Sequence, residues 1–89
     1  MPIRTVAVKT TPTRLLARNP DRVVYSVVND STVDIFISYD KNVATSGAYK
    51  GVKIMANGGS CEDEHHKGEV WAISTSETEV TVVEVSKGE

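Results

Sequence analysis

The 89-residue chain has few cysteines, few aromatic residues and no long apolar run. Its single cysteine, Cys61, excludes an intrachain disulfide and therefore a disulfide-stapled secreted scaffold. No run approaches the ~20 apolar residues of a membrane-spanning helix, and the first residues lack the apolar core of a signal peptide. These absences predict a soluble protein with no membrane partner, made in a reducing compartment or indifferent to redox state.

The net charge is −2, which is too small to indicate a nucleic-acid partner, and few aromatic side chains are available for base stacking. The charges are nevertheless unevenly spread. Residues 1–22 carry five basic residues against one acid, and residues 61–89 carry eight acids against two lysines. Two interpretations stay open. Basic and acidic strands could pair within one sheet, or a basic surface of one subunit could meet an acidic surface of the next.

What the sequence does contain is a regular series of short β-branched runs, each closed by Gly, Asn, Asp or Pro. No helical spacing lies between them. The series predicts an all-β protein, a small antiparallel β-sandwich or barrel of about seven to eight short strands, compatible with a jelly roll. We expect one domain over residues 1–89. Residues 1–12 form either a first strand or an N-terminal arm, and residues 86–89 should fray.

Two neighbouring runs are the clearest strands. Residues 23–28 are apolar on both faces, which predicts a central strand. Residues 33–39 alternate between apolar and polar. Because residues 29–32 have the composition of a tight turn, we expect the two runs to form an antiparallel hairpin. Further along, Trp71 shares a strand face with Ile73, and we interpret it as a core anchor, with a ligand-stacking platform as the alternative.

The longest irregular stretch covers residues 40–51. Long connections in compact domains often carry function, so this loop is the first candidate for contact with a partner. The alternative is a surface crossover between two sheets.

Residues 61–66 form the only cluster that suggests chemistry, because cysteine, histidine and carboxylate can bind zinc. A strand would send alternate members of this run to opposite sides, and no second cluster completes a metal site. We therefore interpret it as a solvated edge strand. A site shared by several copies around an oligomer axis, or an acid–base role for Glu64, His65 or His66, are the alternatives.

Motifs for nucleophilic catalysis or phosphate binding are also missing from the sequence. It contains no G-x-S-x-G motif, no glycine-rich loop leading into a helix and no paired carboxylates in an apolar setting. A chain this small offers little room for a deep pocket. The sequence thus predicts a protein that is not an enzyme and has no cofactor and no metal.

An ordered set of motifs covers roughly residues 13–85. It comprises L-x-x-N-P-x-R at residues 16–22, a strand ending in Asn29, an apolar strand at 35–38, D-x-x-V at 40–43, G-G-S at 58–60 and G-x-V-W-A-I-S at 68–74. This order resembles small structural proteins of tailed bacteriophages. The resemblance implies a β-sandwich or barrel virion component that works by assembly.

The expectation that follows is a capsid decoration (cement) protein that binds and stabilises the phage head as a homo-oligomer, with a trimer favoured. Its partners would be the major capsid protein or other virion proteins, and it would reside in the virion after synthesis in the host cytoplasm. The alternatives are a tail- or fibre-associated receptor- or carbohydrate-binding module, which would use Tyr39, Tyr49 and Trp71, and a component of a head–tail connector ring. The residues expected to make contacts are Arg4, Lys9, Arg14, Arg18, Arg22, Asn42, Tyr49 and Lys50.

Overall fold

The computed structural model describes residues 3–88. Within them are eight strands and no helix, so no helix is available to span a membrane. The strands are β1 (Ile3–Val8), β2 (Thr13–Leu16), β3 (Arg22–Asn29), β4 (Ile35–Ser38), β5 (Val52–Ile54), β6 (Gly59–Asp63), β7 (Val70–Ser74) and β8 (Thr78–Ser86).

The strands form two antiparallel sheets of four strands each. Sheet A has the order β1-β8-β3-β6 and sheet B the order β2-β7-β4-β5. The predicted all-β sandwich is confirmed, and the sheets do not close into a barrel. Only the β4–β5 connection stays within one sheet, and the other six cross from one sheet to the other. This order is that of a jelly roll, two interlocked Greek keys in a double sheet.

The predicted hairpin between residues 23–28 and 33–39 is wrong. β3 lies in sheet A between β8 and β6, whereas β4 lies in sheet B between β7 and β5. The fully buried Asn29 explains the difference, because its Nδ2 donates to Val33 O at 2.9 Å and to Ile54 O at 3.0 Å. These bonds direct the chain across to the second sheet. The predicted central position of β3 is confirmed.

The apolar side chains form two clusters. The main core lies between the sheets, and its buried members are Val8, Leu15, Leu16, Tyr25, Val27, Ile35, Ile37, Ile54, Val70, Ala72, Val80 and Val82. A second cluster on the outer face of sheet B joins Phe36, Val43 and Ile73, with Trp71 packed against it. Trp71 thus anchors the outer cluster instead of the main core.

Arg22, predicted as a surface contact residue, is fully buried. Its Nε donates to Glu84 Oε2 at 2.8 Å, its Nη1 to His66 O at 3.0 Å and Gly68 O at 2.9 Å, and its Nη2 to Ala17 O at 2.7 Å. A guanidinium carries five donors in a rigid fork, so it can bond several chain segments at once. Arg22 therefore joins the β2–β3 and β6–β7 connections to β8.

Ser74 is the third buried polar residue among residues 3–88, beside Arg22 and Asn29. Its Oγ lies 3.3 Å from Val8 O and from Lys9 O and 2.6 Å from Ser76 O. It therefore reaches the β1–β2 and β7–β8 connections. The three buried polar side chains together bond to segments in or bordering all six connections that cross between the sheets.

Two ion pairs within the molecule join the basic first part of the sequence to its acidic last part. Arg14 pairs with Glu69 at 3.1 Å and Arg22 with Glu84 at 2.8 Å. Both ion pairs join the basic segment 1–22 to the acidic segment 61–89, which confirms the pairing of basic and acidic strands within the fold for these residues.

The two ends of the chain lie in sheet A. From Ile3 to Val8 the predicted arm is a strand paired with β8, and residues 1–2 lie outside the described residues. β8 extends to Ser86, opposite Arg22, and the Lys87 amide donates to Asp21 O at 2.9 Å. Ser86, the first residue of the segment expected to fray, is thus still paired in the strand, and residue 89 lies outside the described residues.

Replacing Arg22 tests its role in closing the sandwich. We expect Arg22→Ala to lower the free energy of unfolding by about 3–5 kcal/mol, because Glu84 and three carbonyl oxygens lose their partner in a buried site. Urea unfolding followed by circular dichroism measures the change. The control is Arg18→Ala, which replaces an exposed arginine in the connection between β2 and β3. It should lower the free energy of unfolding by less than about 0.5 kcal/mol. Equal effects of the two variants would contradict this account.

Candidate functional site

The acidic run at residues 61–66 is a strand end followed by a bend. β6 lies at the edge of sheet A, as predicted, and stops at Asp63. Asp63 Oδ1 accepts hydrogen bonds from the amides of His65 at 2.7 Å and His66 at 3.3 Å. These two hydrogen bonds, together with one that the Tyr39 hydroxyl donates to the same carboxylate, hold the pKa of Asp63 below its usual range. Asp63 thus closes the bend as an ionised acceptor.

No group of three or more His, Cys, Asp or Glu residues within 3–88 is arranged to hold a metal ion. The ring of His66 stacks on Tyr39 with centroids 3.4 Å apart, and its Nε2 lies 2.9 Å from Glu69 O. The imidazole is thereby engaged in packing and in a bond to the segment before β7.

A chain of hydrogen bonds leads from this bend into the core. Tyr39 donates its hydroxyl to Asp63 Oδ2 at 2.7 Å, and the buried Tyr25 hydroxyl lies 2.7 Å from that of Tyr39. Since a carboxylate only accepts, Tyr25 donates to Tyr39. Burial, with the bond between them, raises the pKa of Tyr25 far above its ordinary value, and burial also raises the pKa of Tyr39. Both tyrosine hydroxyls therefore stay protonated at neutral pH. Their hydrogen bonds join sheet A to the end of β4.

A small pocket of about 280 Å³ opens beside this chain, between β4, β5 and β6. Its lining residues are Tyr25, Ile37, Ser38, Tyr39, Lys50, Gly51, Val52 and Cys61. The walls are mostly apolar. Val52, on the free edge of sheet B, is 70% exposed.

The loop 40–51 is folded against sheet B. It joins β4 to β5, which are neighbours in one sheet, so the alternative of a crossover between sheets is wrong. Val43 is buried against Phe36 and Ile73, and the Gly51 amide donates to Ala44 O at 3.0 Å. A Cβ on Gly51 would come within 2.8 Å of Ile37 O, so only glycine permits this approach. These contacts hold the loop against sheet B, and most of its other side chains are exposed.

The predicted contact residues lie in two separate places. Arg4, Lys9, Arg14 and Arg18 are exposed on or beside β1 and β2, at one edge of the sandwich. Asn42, Tyr49 and Lys50 are exposed on the loop that leads to β5, at the opposite edge. The eighth, Arg22, is buried as described above.

The three aromatic residues proposed for ligand binding are not equivalent. Tyr39 is 46% and Tyr49 55% exposed. Trp71 is half-buried on the outer face of sheet B, and its Nε1 is buried with no hydrogen-bond partner among residues 3–88. Tyr39 and Tyr49 are therefore the more accessible of the three, and Tyr39 is at the pocket.

Sequence reasoning missed the pocket and its walls. Tyr25 and Cys61 come from sheet A, whereas Ile37 and Val52 come from sheet B, so their proximity depends on the packing of the two sheets. The only local signal is Val52, an apolar residue that directly follows the loop.

Comparisons with models of protein families, with curated proteins and with solved structures find no match. The motifs singled out in the sequence can be traced in this structure. Arg22, Asn29 and Ser74, the polar ends of three of those motifs, are the buried residues that bond the crossing connections. Those motifs therefore specify the architecture, and function has to be sought on the surface.

Alkaline pH provides a test of the tyrosine pair. A pKa raised by folding contributes stability below the unfolded value, about 10, that is lost as pH rises above it. We expect the free energy of unfolding to fall between about pH 9.5 and 11, and to fall less steeply in Tyr25→Phe. At pH 7 this variant should lose about 0.5–1.5 kcal/mol for one buried hydrogen bond. Parallel curves for the two proteins in urea unfolding would contradict the assignment.

Proposed function

We propose that this chain is a virion structural protein of a tailed bacteriophage, a decoration protein that binds the assembled head and acts as a homo-oligomer. The observation that carries the proposal is a jelly roll with an exposed loop that packs on sheet B next to an apolar pocket at one edge. Jelly rolls occur in viral capsid domains, in lectins and in cupins, so the architecture by itself is an analogy.

The loop and the pocket rim have the character of a protein contact surface. Tyr49 is 55% exposed on the loop, and Tyr39 and Val52 are exposed at the pocket. Exposed aromatic and apolar side chains next to a concavity are typical of binding surfaces, and tyrosine is enriched among residues that contribute most to binding. Because Val43 fixes the loop against sheet B, little conformational entropy would be lost on docking.

The size of the domain also favours assembly. A chain of 89 residues buries a smaller share of its surface than a larger domain does. Contact with a head or with sister copies buries more surface and stabilises the folded state by mass action.

A receptor- or carbohydrate-binding module is the second candidate, and the pocket with Tyr39 at its wall is the observation that favours it. Its volume, about 280 Å³, is slightly below the range of ordinary small-molecule sites. A sugar ring could stack on an exposed tyrosine while its hydroxyls meet Ser38 and Lys50.

Co-sedimentation with undecorated expanded heads tests the first candidate. We expect the protein to pellet with heads of the phage that carries its coding region, and Tyr49→Ala to weaken binding by about 10-fold or more through loss of an exposed aromatic anchor. Val23→Ala, an exposed apolar residue away from the loop, is the matched control and should leave binding unchanged.

Absence of the protein from the pellet at tens of micromolar would reject the decoration assignment. Specific retention on a glycan array, lost in Tyr39→Ala, would establish the second candidate in its place.

A further inference from the structure

Sheet A has two free edges, one on each side of the molecule. β1 pairs only with β8, and β6 only with β3, among the strands of residues 3–88. A free edge presents unpaired backbone N–H and C=O groups that can accept another strand. β1 has six residues and β6 has five, so the two edges are of similar length.

The two edges carry opposite charge. Residues 3–18 contain four basic residues and no acid, and Arg4 and Lys9 belong to β1 and the turn after it. Residues 54–66 contain three acids and neither lysine nor arginine, and Glu62 and Glu64 lie on β6 and just beyond it. Of the charged residues in these two segments, Arg14 alone forms an ion pair within residues 3–88, with Glu69 at 3.1 Å, so most of the opposite charge remains at the surface.

Strand direction permits the two edges to join. The sheet contains an even number of strands, each antiparallel to its neighbour, so β1 and β6 run in opposite directions. When a second copy is rotated about an axis roughly parallel to the strands, its β1 comes to lie antiparallel to β6 of the first copy. The alternation of strand directions would then continue across the junction.

Like-charged edges disfavour the symmetric alternatives. Pairing β6 with β6 would bring two acidic strands together, and pairing β1 with β1 would bring two basic strands together. Like charges directly opposite one another across strands are destabilising. Among the pairings of these two edges, the β1–β6 combination is the one that places opposite charges across the junction.

We infer that copies of this chain assemble head to tail, with the free edge of β1 in one copy paired antiparallel to the free edge of β6 in the next, so that sheet A continues from subunit to subunit. Such a heterologous contact closes into a ring when the rotation between copies permits, and otherwise forms a filament. The inference deepens the proposed function, because it rests on the premise that the chain assembles with itself, and it assigns the surfaces that do so.

Charge reversal at each edge provides the test. One variant carries Thr5→Glu and Lys9→Glu on β1 and the turn after it, and the other carries Glu62→Lys and Glu64→Lys at β6. All four positions are exposed. We expect wild type to form rings or longer assemblies in sedimentation velocity, and each variant alone to associate about 100-fold more weakly. The β1 variant gives residues 3–9 an excess of acids opposite the acidic β6 edge, and the β6 variant gives residues 54–66 an excess of lysine opposite the basic β1 edge, so the two edges of each variant have the same sign.

Restoration of assembly separates the inference from a general surface effect. A chain with all four substitutions again has edges of opposite sign and should associate within about 10-fold of wild type. An equimolar mixture of the two edge variants should also co-assemble, since each edge finds an opposite partner in the other variant. Lys41→Glu with Glu77→Lys makes the same kinds of change at exposed loop positions and should leave assembly intact. Circular dichroism melts establish that every variant is folded.

Three results would overturn the inference. They are a monomeric wild type at about 200 µM, assembly that persists in both edge variants, and a folded four-substitution chain that stays monomeric. Head binding is a separate readout. Binding by a monomer would keep the decoration proposal and reject the β1–β6 junction, whereas rings that ignore heads would keep the junction and reject decoration.

Discussion

The fold depends on satisfying backbone polar groups where the chain crosses between two sheets. In this jelly roll six of seven connections cross, and their backbone lies against the ends of an apolar core. An unpaired buried carbonyl or amide costs free energy comparable to a lost hydrogen bond. Arg22, Asn29 and Ser74 supply the missing donors and are the buried polar residues of the described chain. These three side chains therefore hold the crossing connections to the sandwich.

The sequence was sufficient to predict what depends on local pattern. Alternation and turn residues placed the strands closely, identified β3 as central and β6 as an edge, and indicated a sandwich. The errors came from side chains whose role depends on distant segments. Asn29 looked like a turn residue but bonds Ile54 O, 25 positions away, and so sends β4 into the other sheet. The burial of Arg22 is not predictable from the sequence, because a buried guanidinium needs carbonyl partners, and no local pattern reveals that His66 and Gly68 supply them.

The sequence motifs bear on the fold more than on the function. The asparagine, arginine and serine of the resembling motifs bond the crossing connections, and the acidic run at residues 61–66 closes a bend through Asp63. The residues left for function are exposed ones, Tyr49 and Val52 at one edge and the opposite charges of β1 and β6. These are features of contact surfaces, and they support the proposal that the protein acts by assembly.

Hydrogen–deuterium exchange of the protein at low and high concentration tests this account most directly, because it reports which backbone groups become paired when copies meet. The account predicts slower exchange in the amides of β1 and β6 at high concentration, with the central strands β8 and β3 unchanged. Slower exchange confined to strands other than β1 and β6 or to the loop 40–51, or no change at any concentration, would contradict it.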